Sequence, residues 1–172
     1  MESSKTDKYP NRAMELLTQS AANTLTFEQI RFGTGLFEGI ALVLHRLEWY
    51  INQIALQEVI AAADSISVAL TTRDDLTTID PVSLNVIHAM QTHIRLVGPV
   101  VSMIPDLRPL VADFTTLPGS GLLIPANPLY MAVDSSSLVN PITLRLVMYY
   151  SYVRLADKDY LELLQSMIPM NI

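Results

Sequence analysis

The chain has 172 residues, of which half are hydrophobic and only 16% are charged, and its formal net charge is −6. This length suits a single domain with one core, but the charged fraction lies below the roughly 25% of an average soluble domain. We therefore expect part of the surface to be buried in a constitutive oligomer, because subunit interfaces are more apolar than free surface. The negative charge argues against direct nucleic-acid binding, which depends on Lys and Arg.

Several other classes of protein are disfavoured by composition. The chain has no cysteine, which excludes disulfides and thiolate metal sites. The polar residues 1–9 lack the apolar stretch of a signal peptide. The longest uncharged run, residues 114–133, has the length of a membrane span, but its three prolines and two glycines favour loop and strand. The sequence therefore predicts no transmembrane segment.

The first 25 residues are mixed in charge and rich in polar side chains. They predict an N-terminal arm with a helical turn near residues 13–17. Residues 26–172 are predicted to form one domain, because no repeat and no change in composition divides them. Phenylalanines and glycines over residues 27–39 suggest a short strand and a turn.

Residues 40–54 allow two interpretations. Their apolar positions fall on one helical face, which would give an amphipathic helix over residues 36–62. Against this, apolar and polar residues alternate from Arg46 to Ile51, and the aromatic and β-branched residues favour a pleated strand. We predict a strand here and keep the helix as the alternative.

The middle of the chain is predicted to contain short strands. Residues 65–72 alternate strictly and end in a turn at residues 73–75. Residues 82–90 predict a short helix that leads into a strand ending at Val97. The closely spaced prolines of residues 98–120 predict loops that join short strands.

The last third carries the clearest patterns. Residues 122–124 and 129–133 are predicted strands, followed by a turn over residues 134–137. Residues 142–153 predict a long strand with one wholly apolar or aromatic face. Residues 157–164 predict a short helix whose acidic start suits a helix N-terminus, and Pro169 ends it. Short strands separated by turn residues are typical of a β-sandwich or barrel.

The layout of these segments resembles that of single jelly-roll capsid proteins of icosahedral viruses. The resemblance lies in residues 39–50, 65–72, 122–125, 129–135, 142–155 and 157–160. It implies an all-β, single jelly-roll β-sandwich of eight strands in two sheets, with one or two short helices, including a short C-terminal helix. Strand edges and loops would then contact neighbouring subunits. The chain departs from many shell proteins in lacking an Arg-rich arm.

No catalytic, cofactor or metal site is predicted. His45, His88 and His93 are the only imidazoles, and the step of five between the last two places them on opposite faces of a strand. The pairs Asp74 with Asp75 and Asp157 with Asp159 allow a hard-cation site, but a turn and a helix start explain them more simply. Ser120 lies between two glycines outside any Gly-x-Ser-x-Gly motif, which predicts a turn and not a nucleophile.

Aromatic residues and an apolar C-terminus are the candidate contacts between subunits. Tyrosine and tryptophan combine apolar area with a polar group, so they suit an interface, although they could equally fill the core. The residues 167–172 are unusually apolar for a free end. The candidate interface residues are Trp49, Tyr149, Tyr150, Tyr152, Met167, Ile168 and Met170.

These observations favour a structural subunit of a virus capsid that self-assembles and is not an enzyme. Its expected partners are copies of itself and other virion proteins, and its expected location is the virion, after synthesis in the host cytoplasm. One alternative is a jelly-roll module that binds a carbohydrate or another ligand in a concave site. A second alternative is a helical oligomeric protein, which follows if residues 36–62 form a helix.

Overall fold

The structure is a computed structural model that describes residues 10–32, 39–51, 64–94, 96–97, 101–102 and 109–166. A little over half of this part of the chain is β-strand, and it has one helix near its end. The strands are β1 (Asn11–Thr18), β2 (Thr26–Gln29), β3 (Ile40–Ile51), β4 (Asp64–Thr71), β5 (Val86–Ile94), β6 (Leu96–Val97), β7 (Val101–Ser102), β8 (Leu110–Asp113), β9 (Leu122–Pro125), β10 (Tyr130–Ser136) and β11 (Thr143–Arg154), and the helix is α1 (Asp157–Ser166).

The strands form two antiparallel sheets and a small hairpin. The first sheet has the order β1-β11-β3, and β8 and β9 both pair with the far side of β3, at Arg46–Trp49 and Ala41–Leu44 respectively. The second sheet has the order β2-β10-β4-β5, and β6 pairs with β7. All of these pairings are antiparallel.

The order of pairing defines the fold as a jelly roll. The first strand pairs with the last, β2 pairs with β10, β3 pairs with β8 and β9, and β4 pairs with β5. These pairs are nested in the sequence, so the chain is arranged as a long hairpin rolled into two sheets, which is the double Greek key of a jelly roll. The predicted all-β, single jelly-roll sandwich is therefore confirmed, with β8 and β9 together filling the place of one strand.

The core lies between the inner faces of the two sheets. In the first sheet Leu146 of β11 is opposite Trp49 of β3, and both are fully buried. In the second sheet Val68 of β4 is opposite Val133 of β10, and both are also fully buried. Alternate residues of each strand share a face, so the period of two that predicted these strands also places their side chains in one core.

The predicted strands at residues 65–72, 122–124, 129–133 and 142–153 are confirmed, and the one predicted at residues 40–54 is confirmed over Ile40–Ile51. Residues 52–54 lie outside the described residues. Residues 39–51 are not helical, so the helical alternative is wrong for the described part of residues 36–62. Short strands β7 and β8 do occur in the proline-rich region that begins at residue 98. The C-terminal helix is confirmed, and it begins at Asp157 with Asp159 in its first turn. Pro169 lies outside the described residues.

Three local predictions are wrong. Residues 13–17 form strand β1 and not a helical turn, because the whole of Asn11–Thr18 pairs with β11. Part of the predicted arm of residues 1–25 therefore belongs to the sandwich. Residues 82–90 do not form a helix, because residues from Val86 onward pair with β4. Before them Asp80 closes a turn, in which its carboxylate accepts a hydrogen bond from the Val82 amide and its carbonyl accepts one from the Ser83 amide, both at 3.0 Å. This turn leads directly into β5.

Residues 134–137 do not form the predicted turn. Strand β10 continues through Ser136, because Asp134, Ser135 and Ser136 all remain paired with β4. The serine hydroxyls of Ser65 and Ser136 are 3.0 Å apart across this pair. Cross-strand pairing therefore overrides the local turn preference of these residues.

Helix α1 packs on the outer side of the first sheet. Tyr160, Leu163 and Leu164 lie on one helical face, at the spacing of three and four residues, and they contact the cluster formed by Ala41 and Val153. No helix in the part of the chain that the structure describes is long and apolar enough to cross a bilayer.

Replacing Trp49 by Ala is expected to lower the free energy of unfolding by about 3 to 5 kcal/mol, because a large, fully buried side chain leaves a cavity. Trp49→Phe is expected to cost less, because the indole Nε1 has no hydrogen-bond partner among the described residues. Urea unfolding measures both. A loss no larger than that of Val82→Ala, at a position 86% exposed, would contradict the core assignment.

Candidate interaction surface

The outer side of the first sheet is divided into two halves by a β-bulge. The register of β3 and β11 shifts between Tyr149 and Tyr150, and His45 is the extra residue on β3. At the end of the sheet formed by residues 40–44 of β3 and 150–154 of β11, α1 covers Ala41, Val43 and Val153. At the other end, no described element packs on the outer side. We call this region the open half: the outer side of β1, of β8, of residues 143–149 in β11 and of residues 46–50 in β3.

The open half carries large apolar side chains in solvent. One row across the strands runs from Met14 through Val147 and Glu48 to Val111. Met14 is 50% exposed, whereas Val147 at the centre of the row is only 1% exposed. In the adjacent row Leu16 is 54% exposed. These residues form an apolar patch on the outer face of the sheet. In a sheet with one face in solvent, the residues on that face are normally polar.

A compact ion pair occupies the centre of the open half. Glu48 is only 7% exposed, and its two carboxylate oxygens are both bound by neighbours on the same strand. Arg46 Nη2 lies 2.8 Å from Oε1, and the Tyr50 hydroxyl donates to Oε2 at 2.8 Å. This hydrogen bond to Glu48 is the main reason that the pKa of the Tyr50 hydroxyl is raised. The buried carboxylate is thus satisfied without a partner from outside.

The arginines give the open half a local positive charge. Arg12 is opposite Tyr149, and Arg145 is opposite both Leu16 and Tyr50. Neither arginine forms an ion pair with a described residue. The region carries three arginines, at positions 12, 46 and 145, against two carboxylates, at positions 48 and 113. The open half therefore has a net charge of +1 on a chain of net charge −6.

The predicted interface residues are distributed over several places. Trp49 and Tyr150 belong to the main core, so neither is available on the surface of this chain. Tyr152 packs against the same core, with its ring 5.3 Å from that of Tyr150. Tyr149 lies on the open half, opposite Arg12. Met167, Ile168 and Met170 lie outside the described residues.

Three residues of this patch were missed by sequence reasoning. Met14, Leu16 and Val111 all project from the outer side of edge strands. For β1 the sequence signal was that the consecutive residues Leu16 and Leu17, which point to opposite faces of a strand, are both apolar. A strand with apolar side chains on both faces packs one face on the core, and its other face suits a contact with a second element or chain.

His45 ties the bulge to the turn before β9. Its Nδ1 donates to the Ser120 carbonyl at 2.8 Å, and in this neutral form its Nε2 accepts from the Ser151 hydroxyl at 2.9 Å. Gly121 lies against the same residues, and a Cβ there would come within 2.9 Å of the Leu44 carbonyl and 3.2 Å of His45 Nδ1. Ser151 is buried, so the His45 and Ser151 pair acts as a structural clamp.

The remaining candidate groups are separated. His88 packs edge-on against Phe114, with ring centroids 5.5 Å apart, whereas His93 is exposed on the other side of β5. Asp75 is bound by Arg73 within a turn, and Ser120 adopts a left-handed turn conformation with φ of 58°. In the described part of the chain no three His, Asp or Glu residues are grouped for a metal ion.

Sequence comparisons find no match, whereas the comparison with solved structures finds a weak one. No model of a protein family matches the sequence, and neither does any curated protein. Among solved structures, the chain is similar to the infectious bursal disease virus VP2 subviral particle, with 13% identity and a TM-score of 0.25. The match covers 87% of this chain and 39% of that one. A likeness at this level does not indicate a shared function. The chain's own strand order defines a jelly-roll protein, and the described elements leave part of the outer face of its first sheet uncovered.

His45→Ala is expected to lower the free energy of unfolding by about 1 to 3 kcal/mol, because two hydrogen bonds are lost and the buried Ser151 hydroxyl loses its acceptor. Urea unfolding at neutral pH measures the change. His93→Ala on exposed β5 is the matched control, and an equal loss in both variants would contradict the clamp.

Acid is expected to destabilise the fold partly through His88. Burial lowers the pKa of His88 below 6.5, so the unfolded chain binds a proton first as the pH falls. The free energy of unfolding therefore decreases as the pH falls through 6.5. Unfolding curves recorded from about pH 7.5 to about pH 5.5 should show a smaller decrease in His88→Leu than in the parent chain. An unchanged decrease in His88→Leu, or an equal effect of His93→Gln, would disprove this assignment.

Proposed function

We propose that this chain is a structural subunit of a virus capsid, without catalytic activity, that assembles with copies of itself through apolar surfaces. The observation that carries the proposal is the open half of the first sheet, where Met14, Leu16 and Val111 are exposed on a regular sheet face. Burying such side chains stabilises a contact by roughly 25 cal/mol per Å² of apolar surface. A jelly roll offers this face without disturbing its own core.

Exposed apolar residues also occur away from the open half. Val82 and Leu84 lie in the turn before β5, Leu117 follows β8, and Val139 precedes β11. One self-complementary patch gives only a dimer, whereas a closed shell needs contacts in several directions. The distribution of these side chains over a sheet face and several loops supports assembly beyond a dimer.

The charge of the chain supports the rest of the proposal. A net charge of −6 opposes direct contact with a genome, so another virion protein is proposed for that role. The proposed location is accordingly the virion. The low charged fraction, 16%, fits a protein whose surface is largely shared with neighbours.

Size-exclusion chromatography with light scattering and negative-stain microscopy test the proposal. The purified chain is expected to form large uniform assemblies. Met14→Lys combined with Leu16→Lys is expected to shift the population to smaller species while leaving the circular dichroism spectrum unchanged, because both residues point outward.

Thr77→Lys combined with Thr78→Lys, in the exposed connection between β4 and β5, is the control for the two added charges. A parent chain that remains a monomer at high concentration would refute the structural role. Equal behaviour of the control and the Met14 and Leu16 variant would remove the open half from the interface.

A further inference from the structure

Helix α1 and the open half lie side by side on the outer side of the same sheet. A helix is about 10 Å in diameter, so α1 forms a raised ledge beside the exposed strand surface. The lower step carries the open half, and the upper step carries the solvent face of α1. A surface with one raised and one lowered half is complementary to a copy of itself that is turned over.

We propose that a second copy packs face to face on the first sheet about a two-fold axis, with α1 of each copy lying on the open half of the other. The inference rests on the proposed function, because it specifies one contact between copies. A two-fold axis in the plane of the interface, between the helix and the open half, brings each raised step over the partner's lowered step. Every contact is then made twice.

The charges of the two steps are of opposite sign. Helix α1 carries three carboxylates and one lysine, with Asp157 and Asp159 in its first turn and no basic residue in its last turn. Lys158 lies 3.7 Å from Glu162 in an exposed pair, which leaves Asp157 and Asp159 as the excess negative charge. On the facing surface, Arg12 and Arg145 are the arginines without an ion-pair partner among the described residues.

The remaining charges of the open half are already used within the chain. Arg46 is bound to Glu48 at 2.8 Å. Asp113 accepts hydrogen bonds from the Thr115 amide and hydroxyl at 2.9 and 2.6 Å. The net attraction of this surface for an acidic helix therefore comes from Arg12 and Arg145, which flank the apolar residues of β1 and β11.

The apolar groups of the two steps also match. Tyr160, Leu163 and Leu164 face the sheet of their own copy, and Leu161, about 100° round the helix from Tyr160, is 56% exposed on the flank of the helix. Leu161 would pack on Met14 and Leu16 of the second copy. An apolar centre surrounded by complementary charges is the usual arrangement of a stable interface.

A charge-reversal cycle tests the contact. Arg145→Glu and Asp159→Lys are each expected to weaken dimer formation about tenfold, because like charges then face each other, and the double variant is expected to recover most of the loss. Sedimentation velocity over a concentration series measures dissociation. Arg31→Glu, at an exposed position after β2, is the control and should leave dissociation unchanged.

The outcomes separate the two proposals. A parent chain that never associates would refute the proposed function and this inference together. A parent chain that assembles, but whose association is unaffected by the reversals or is not recovered in the double variant, would refute only this inference.

The absence of cysteine allows a second test that does not depend on charge. Leu16→Cys and Leu161→Cys chains are prepared separately, mixed and mildly oxidised. The mixture should give a disulfide-linked dimer that neither variant forms alone, because Leu16 faces Leu161 across the axis. A link that forms equally in the separate variants, or no link in a mixture that still assembles, would overturn the arrangement.

Discussion

The pairing of β3 with β11 is the interaction on which the rest of the structure depends. It runs antiparallel from Leu144 opposite Ile51 to Arg154 opposite Ile40, through the centre of the first sheet. Its inner side supplies the largest part of the core wall, including Trp49 and Leu146. Its outer side supports both α1 and the open half. One pair of strands therefore determines both the stability of the domain and the surface available to partners.

The bulge at His45 explains why the outer side has two different halves. Without the extra residue, β3 and β11 would continue in one register, and their twist would change less at this point. The clamp from His45 to Ser120 and Ser151 fixes the bulge and holds the turn before β9 in place. The helix packs on one side of the bulge only, so the other side keeps its apolar residues exposed.

The regular strands could be predicted because their two faces differ. In β11 the inner residues are apolar and the outer ones are mixed, so the period of two was evident. In β1 apolar residues occur on both faces, with Leu17 inside and Leu16 outside, and the alternation was hidden. The same feature that obscured the strand creates the open half. Alternation shows which residues share a face of a strand, but it does not show which face is buried. For this reason Trp49 was a candidate for the interface.

The contrast between total and local charge gives the proposed assembly its specificity. Copies that each carry −6 repel one another at a distance, which protects an apolar-rich surface from indiscriminate association. Close approach becomes favourable only in orientations that bring Arg12 and Arg145 against acidic groups. Apolar burial is non-directional and supplies the free energy, whereas the charges exclude the wrong orientations. Because exposed charges are screened over about 8 to 10 Å at physiological salt, this selection acts at contact distance, where the orientation of the two copies is decided.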